Sequence, residues 1–105
     1  MIIAFDFDDT ISADKELFAN MMKLVISRGH TAMIVTSRGH IGSDIQAFMR
    51  AYGLEDIDAI ATAAKAKMDV VVADIWVDDF PLMITHDFKE TKWVQGDEIK
   101  NKNFV

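Results

Sequence analysis

Ile2-Ile3-Ala4-Phe5 is an unbroken apolar run of good strand formers that stops abruptly at Asp6, the pattern of a strand covered on both faces. From about Lys15 to Arg28, Leu17, Met21, Leu24 and Val25 recur at three- and four-residue steps, and Gly29 stands where a helix would end. That spacing predicts a helix with one buried face. Thr31 to Thr36 is a second buried strand, and Ser37-Arg38-Gly39-His40-Ile41-Gly42 is a polar loop with two glycines. Ser43 then suits the cap of a helix whose apolar side holds Ile45, Phe48 and Met49, closed by Gly53.

The second half is less regular. Ile57 to Ala61 predicts a strand and Ala63 to about Val72 a short helix, although Val70-Val71-Val72 also fits a strand. Asp74-Ile75-Trp76-Val77 is a strand running into Asp78-Asp79, and Leu82 to Thr85 a further short strand after Pro81. Beyond about Thr91 the chain is polar and aperiodic, which predicts an extended or frayed tail over 91–105. Strands joined through helices pair in parallel with right-handed crossovers. The expected class is α/β, a three-layer α/β/α Rossmann-like parallel sheet in a single domain.

Length and composition agree: 105 residues, half of them hydrophobic and 27% charged, suit one packed domain. The formal net charge of −6 argues against broad attraction to nucleic acid phosphates, though a metal ion and a few local cations leave a nucleotide substrate open. There is no cysteine, hence no disulfide framework and no thiolate chemistry. The first apolar run is too short for a signal sequence, and no stretch reaches the roughly 20 apolar residues of a membrane span. A cytoplasmic protein with no membrane partner is expected.

In an open parallel sheet the functional crevice lies beyond the carboxyl ends of the strands. Asp6, Asp8 and Thr10 follow the first strand, Thr36 and Ser37 the second, and Asp78 and Asp79 a later one; Lys65 and Lys67 precede that last strand. Carboxylates gathered at one edge repel one another unless a hard cation lies between them, and Mg²⁺ with oxygen ligands is the usual solution. Beside Mg²⁺ a carboxylate can attack a phosphate ester and form an aspartyl-phosphate. A second carboxylate two residues along an extended segment returns to the same side, where it can protonate the leaving oxygen and later deprotonate water. Asp6 and Asp8 have that spacing. Thr36 and one of Lys65 or Lys67 suit the phosphoryl oxygens, with Thr10, Ser37 and Arg38 as further phosphate contacts.

Three segments carry a resemblance in order: Ile2 to Thr10, an apolar strand leading to Asp-x-Asp-x-Thr; Met33 to Thr36, a strand ending in Thr; and Ile75 to Asp79, a strand ending in paired acids. On these the chain resembles the haloacid dehalogenase superfamily of phosphohydrolases. The resemblance implies that Asp6 is nucleophile and metal ligand, Asp8 acid/base and a metal ligand through its backbone carbonyl, and Asp79 a metal ligand supported by Asp78. Lys67 to Pro81 is similar to the 5′(3′)-deoxyribonucleotidase branch, with Phe80 where that branch carries Arg. It tilts the choice of lysine to Lys67 and the substrate towards a nucleotide. Only 25 residues separate Thr10 from Thr36, and a helix fills most of them, so the small capless type is implied. An open site would admit a phosphorylated small molecule, a nucleotide or a polynucleotide end, or be closed by a second copy in a homo-oligomer.

Each part has a plainer explanation. An Asp-x-Asp after a strand is commonly a solvated turn, Arg38 a surface cation, and Asp9 a bystander; it is the ordered set that points to chemistry. His30, His40 and His86 are scattered, and only His40 is placed to reach substrate. The methionines, Phe7 and Trp76 suit core filling, and Trp93 an oligomer contact. Two rivals share the ingredients: a receiver-like signalling module, whose lysine would follow rather than precede the last acidic pair, and a catalytically silent module that binds phosphate and Mg²⁺.

Overall fold

A computed structural model describes residues 1–87, so the tail expected over 91–105 and Trp93 lie outside the described residues. Four strands, β1 (Ile2–Phe5), β2 (Thr31–Thr36), β3 (Asp58–Ala61) and β4 (Ile75–Val77), form one parallel sheet in the order β3-β2-β1-β4. The register sets Ile2 beside Thr31, Phe5 beside both Ile34 and Val77, and Thr36 beside Ala61. A 3₁₀ turn, Ile11–Ala13, and three helices connect them, α1 (Lys15–Ser27), α2 (Ser43–Ala51) and α3 (Lys67–Val70), and α4 (Leu82–Thr85) follows β4. No helix among these residues is long and apolar enough to cross a membrane.

Strand side chains alternate between two cores, as a period of two requires. Ile3, Phe5, Ala32, Ile34, Ala59 and Val77 meet Ala19 and Met22 of α1 and Ile45 and Phe48 of α2 on one face. Ala4, Met33, Val35, Ile60 and Trp76 meet Val71 and Ala73 on the other, which α3 introduces. The result is the three-layer Rossmann-like arrangement. Phe7 joins the first core edge-on to Phe48, with centroids 5.9 Å apart.

Several elements depart from expectation. In α1 the stripe of Leu17, Met21 and Leu24 is exposed, and the helix packs through Ala19 and Met22, flanked by Phe18 and Val25. The helix carries two apolar stripes, and the one containing a small alanine lets the backbone approach more closely. Asp14 caps its start, accepting from the Leu17 N–H at 3.1 Å, and Gly29 supplies the left-handed residue after its end (φ +83°). Ser43 is the first residue of α2 rather than its cap; Gly42 takes that place, with no side chain capping it.

The helix expected from Ala63 shrinks to Lys67–Val70, because Ala63 and Ala64 adopt left-handed conformations (φ +53° and +67°). Their N–H groups donate to the carbonyls of Arg38 and Ser37, each at 2.9 Å, which ties this turn to the loop after β2. Val71 is extended but outside the sheet ladder. Leu82–Thr85 is a helical turn and not a strand: Pro81 is pre-set at φ −57°, and Ile84 and His86 donate back to Pro81 and Leu82. Met22 and Met33 are buried and Met49 packs on the core, whereas Met1, Met21 and Met68 are exposed, so core filling explains only part of the methionine usage.

Candidate functional site

The connection leaving β1 runs towards β2, while β4 pairs with the opposite edge of β1, so the crevice between the ends of β1 and β4 is the switch point of the sheet. The Asp6 N–H donates to the Val77 carbonyl at 2.9 Å, which fixes the residue after β1 against the end of β4. Asp6 and the Asp78-Asp79 pair are thereby brought together from positions far apart in sequence.

The Lys67 ammonium donates to Asp6 Oδ1 at 2.8 Å and to Asp78 Oδ2 at 2.6 Å. Lys67 is only 1% exposed, and a buried cation persists only when paired in this way. Lys65, two residues earlier, is exposed in the turn that Thr62 closes through its hydroxyl and the Lys65 carbonyl. Of the two lysines, Lys67 is the one the fold delivers to Asp6. On the other side of Asp6 the Thr10 hydroxyl stands 3.0 Å from Oδ2 and 3.1 Å from Asp79 Oδ1, and it accepts from the Asp79 N–H. One hydroxyl has one proton, so it serves Asp6 or Asp79 but not both.

Burial, against the partly compensating pull of Lys67, raises the Asp6 carboxyl from 3.8 to about 6, and the neighbouring Asp78 and Asp79 push the same way. One oxygen each from Asp6, Asp78 and Asp79 lies within 4.8 Å of the others. Lys67 is shared by Asp6 and Asp78, while Asp79 stands beside them at the exposed edge, so three carboxyl groups gather around one cation and leave excess negative charge. An all-oxygen donor set of this kind fits a hard divalent cation.

A cleft of about 200 Å³ opens above these groups, bounded by Asp6, Asp8, Ser37 and Asp79, with Phe80 and Met83 as its apolar wall. Thr36 is completely buried beneath it, its hydroxyl accepting from the Arg38 N–H at 3.3 Å, and Ser37 is the residue of that loop that reaches the cleft. Asp9 is exposed at the rim in a left-handed conformation (φ +62°), its N–H donating to the Ser12 hydroxyl. His40 is exposed outside the lining, and His30 pairs with the N-terminal amine.

Asp8 stands apart from the three grouped carboxylates. Both of its oxygens accept from Arg38, from Nε at 2.8 Å and Nη2 at 2.6 Å. The guanidinium lies over the Phe7 ring, 5.4 Å from its centroid, and its other edge donates to Asp44. Arg38 holds the Asp44 carboxyl down at about 2, and its own value is raised by the two carboxylates. Asp44 gave no signal in the sequence: it lies six residues from Arg38 within a helix start, where an acidic residue is ordinary.

A scan against protein-family models and searches of curated proteins and of solved structures match nothing to this chain.

Proposed function

We propose that this chain is a Mg²⁺-dependent phosphomonoesterase of the haloacid dehalogenase type that works through an aspartyl-phosphate on Asp6. The observation that supports it best is the setting of Asp6. It is a buried carboxylate held by Lys67 and Thr10, with Asp78 and Asp79 beside it, at the floor of an open cleft on the sheet's switch point. Mg²⁺, when bound by Asp6, Asp78 and Asp79, supplies the charge neutralisation that lets an anionic phosphate approach these carboxylates.

The protein's own groups account for the remainder. An Asp6 oxygen attacks phosphorus as the bond to the leaving oxygen breaks, and Asp8 at the cleft mouth gives that oxygen its proton. In the second half, Asp8 takes a proton from water as the water oxygen bonds to phosphorus and the P–O bond to the Asp6 carboxylate breaks, which restores Asp6 and releases phosphate. Lys67 keeps Asp6 oriented and offsets charge gathering on the phosphoryl oxygens. Ser37, which lines the cleft, and Arg38, which follows it and holds the cleft residue Asp8, would donate to those oxygens, while Thr36 acts from beneath by holding the backbone of their loop.

The cleft's openness suits a phosphorylated small molecule, a nucleotide or a polynucleotide end. Phosphate release from p-nitrophenyl phosphate should depend on Mg²⁺ and vanish in Asp6→Asn. A wild-type protein that binds Mg²⁺ and a phosphate mimic without turnover would instead be a silent binding module. A panel of nucleotides, sugar phosphates and 3′-phosphorylated oligonucleotides then ranks the substrates.

A further inference from the structure

Asp8 as found cannot do the work assigned to it. A carboxylate whose two oxygens both face guanidinium N–H groups is turned towards Arg38 and away from a leaving group. For Asp8 to transfer a proton, Arg38 has to let it go. Arg38 is built to release one partner while keeping another, because its donors are divided between two edges. Nε and Nη2 hold Asp8, whereas Nη1 and Nη2 hold Asp44 at 2.8 Å each.

Exposed ion pairs are commonly worth little, and all three side chains here are partly exposed. Two features set this one apart. The guanidinium lies over Phe7, a buried ring of the first core, so one side of it rests against the fold. Its Asp44 edge is also moulded to the backbone: a Cβ added at Gly42 would come within 2.8 Å of Asp44 Oδ1 and 3.0 Å of Arg38 Nη1. Asp44 sits in the first turn of α2, a nine-residue helix seated on the core through Ile45 and Phe48. Asp44 is therefore the fixed end of the contact and Asp8, on the loop after β1, the exchangeable one.

We infer that Asp44 is a positioning residue that anchors Arg38 while the opposite edge of its guanidinium passes from Asp8 to the phosphoryl oxygens of the substrate. Arrival of a phosphate would thus free Asp8 for proton transfer only when there is a substrate to receive the proton. A tetrahedral dianion with two oxygens presented side by side matches the Nε/Nη2 edge that Asp8 occupies in its absence. The inference rests on the phosphatase reading, and it adds the coupling between phosphate binding and the acid/base.

The test has two arms. In the kinetic arm, wild type, Asp44→Ala, Asp44→Asn, Arg38→Ala and the Arg38→Ala/Asp44→Ala double variant are compared on p-nitrophenyl phosphate with Mg²⁺, each checked for an unchanged far-UV spectrum. Both Asp44 variants should raise KM by about tenfold, the size of a lost charge-assisted contact, with kcat changing far less. The double variant should be no worse than Arg38→Ala, because Asp44 acts through Arg38. In the second arm, inorganic phosphate with Mg²⁺ is titrated while the Arg38 Nε–H resonance is followed by ¹⁵N NMR. The resonance should move in wild type and move at about tenfold higher phosphate in Asp44→Asn.

A fall in kcat with KM unmoved, losses that multiply in the double variant, or a resonance indifferent to phosphate would each overturn the inference. If wild type shows no turnover, the phosphatase reading fails by itself, and the resonance arm still decides whether phosphate displaces Asp8 from Arg38.

Discussion

Replacing Asp6 by Asn should make the metal-free protein more stable at neutral pH even though it removes the proposed nucleophile. The folded protein holds the Asp6 carboxyl at about 6 against an ordinary 3.8, chiefly by burial. At about 1.4 kcal/mol for each tenfold change in proton affinity, ionised Asp6 disfavours the fold by about 3 kcal/mol at pH 7. That figure already contains the attraction of Lys67, so loss of the ion pair is not an additional cost. Asn imitates the neutral carboxyl imperfectly, and a gain of about 1–3 kcal/mol is expected, a sizeable part of the 5–15 kcal/mol typical of a small domain. The sign follows from proton counting: between 3.8 and about 6 the folded protein binds more protons than the unfolded chain, so its stability falls as pH rises through that window. Urea unfolding in EDTA at pH 4 and pH 7.5 measures it. Asp6→Asn and wild type should differ little at pH 4, and the variant should have the higher midpoint at pH 7.5. Added Mg²⁺ should shrink or reverse the gap by stabilising wild type preferentially. A variant less stable than wild type at pH 7.5 in EDTA would mean that burial of the charge does not dominate at this site.

Lys67→Met leaves the Asp6 and Asp78 carboxylates without their shared cation, and urea unfolding in EDTA at pH 7.5 should register a loss of about 3–5 kcal/mol, partly recovered with Mg²⁺. Asp8→Asn should lower kcat by roughly 10²-fold or more on p-nitrophenyl phosphate, and full activity would contradict its proton-transfer role. Ca²⁺ should inhibit the Mg²⁺-supported reaction, because its longer and looser coordination misplaces nucleophile and phosphate; steady-state rates at fixed Mg²⁺ and rising Ca²⁺ show it. Gly29→Ala should destabilise by about 1 kcal/mol through its left-handed conformation (φ +83°), with no change in KM.

The strands were legible because neighbouring residues such as Ile34 and Val35 face opposite cores, one on each side of the sheet, which leaves an unbroken apolar run in the sequence. Asp6, Asp78 and Asp79 could be assembled from the same information, since each ends a strand and a parallel sheet brings such ends to one edge. Residue pattern alone left Lys65 and Lys67 as equal candidates, and only the resemblance tilted the choice to Lys67, because the left-handed Ala63 and Ala64 delay the start of α3 and no propensity announces that conformation for alanine. The exposed stripe of α1 and the burial of Ala19 reversed the expected facing because hydrophobicity alone ranks Leu17 and Leu24 above alanine, whereas close packing rewards the smaller residue. The Arg38–Asp44 contact was invisible, since it depends on how a loop turns above Phe7.

The first strand of the chain lies in the interior of the sheet, with β2 on one side and β4 on the other, and this has a bearing on how the molecule is made. During synthesis β1, β2 and β3 emerge first and can pair, while the other edge of β1 waits for a segment more than sixty residues later. The Asp6–Lys67 and Thr10–Asp79 contacts close loops of 61 and 69 residues, so they are among the costliest to form and the latest to repay that entropy. The groups that would perform catalysis come into being together with the last crossover. An incompletely folded chain would carry the Asp-x-Asp segment yet lack the lysine and paired acids that the proposed reaction requires beside it.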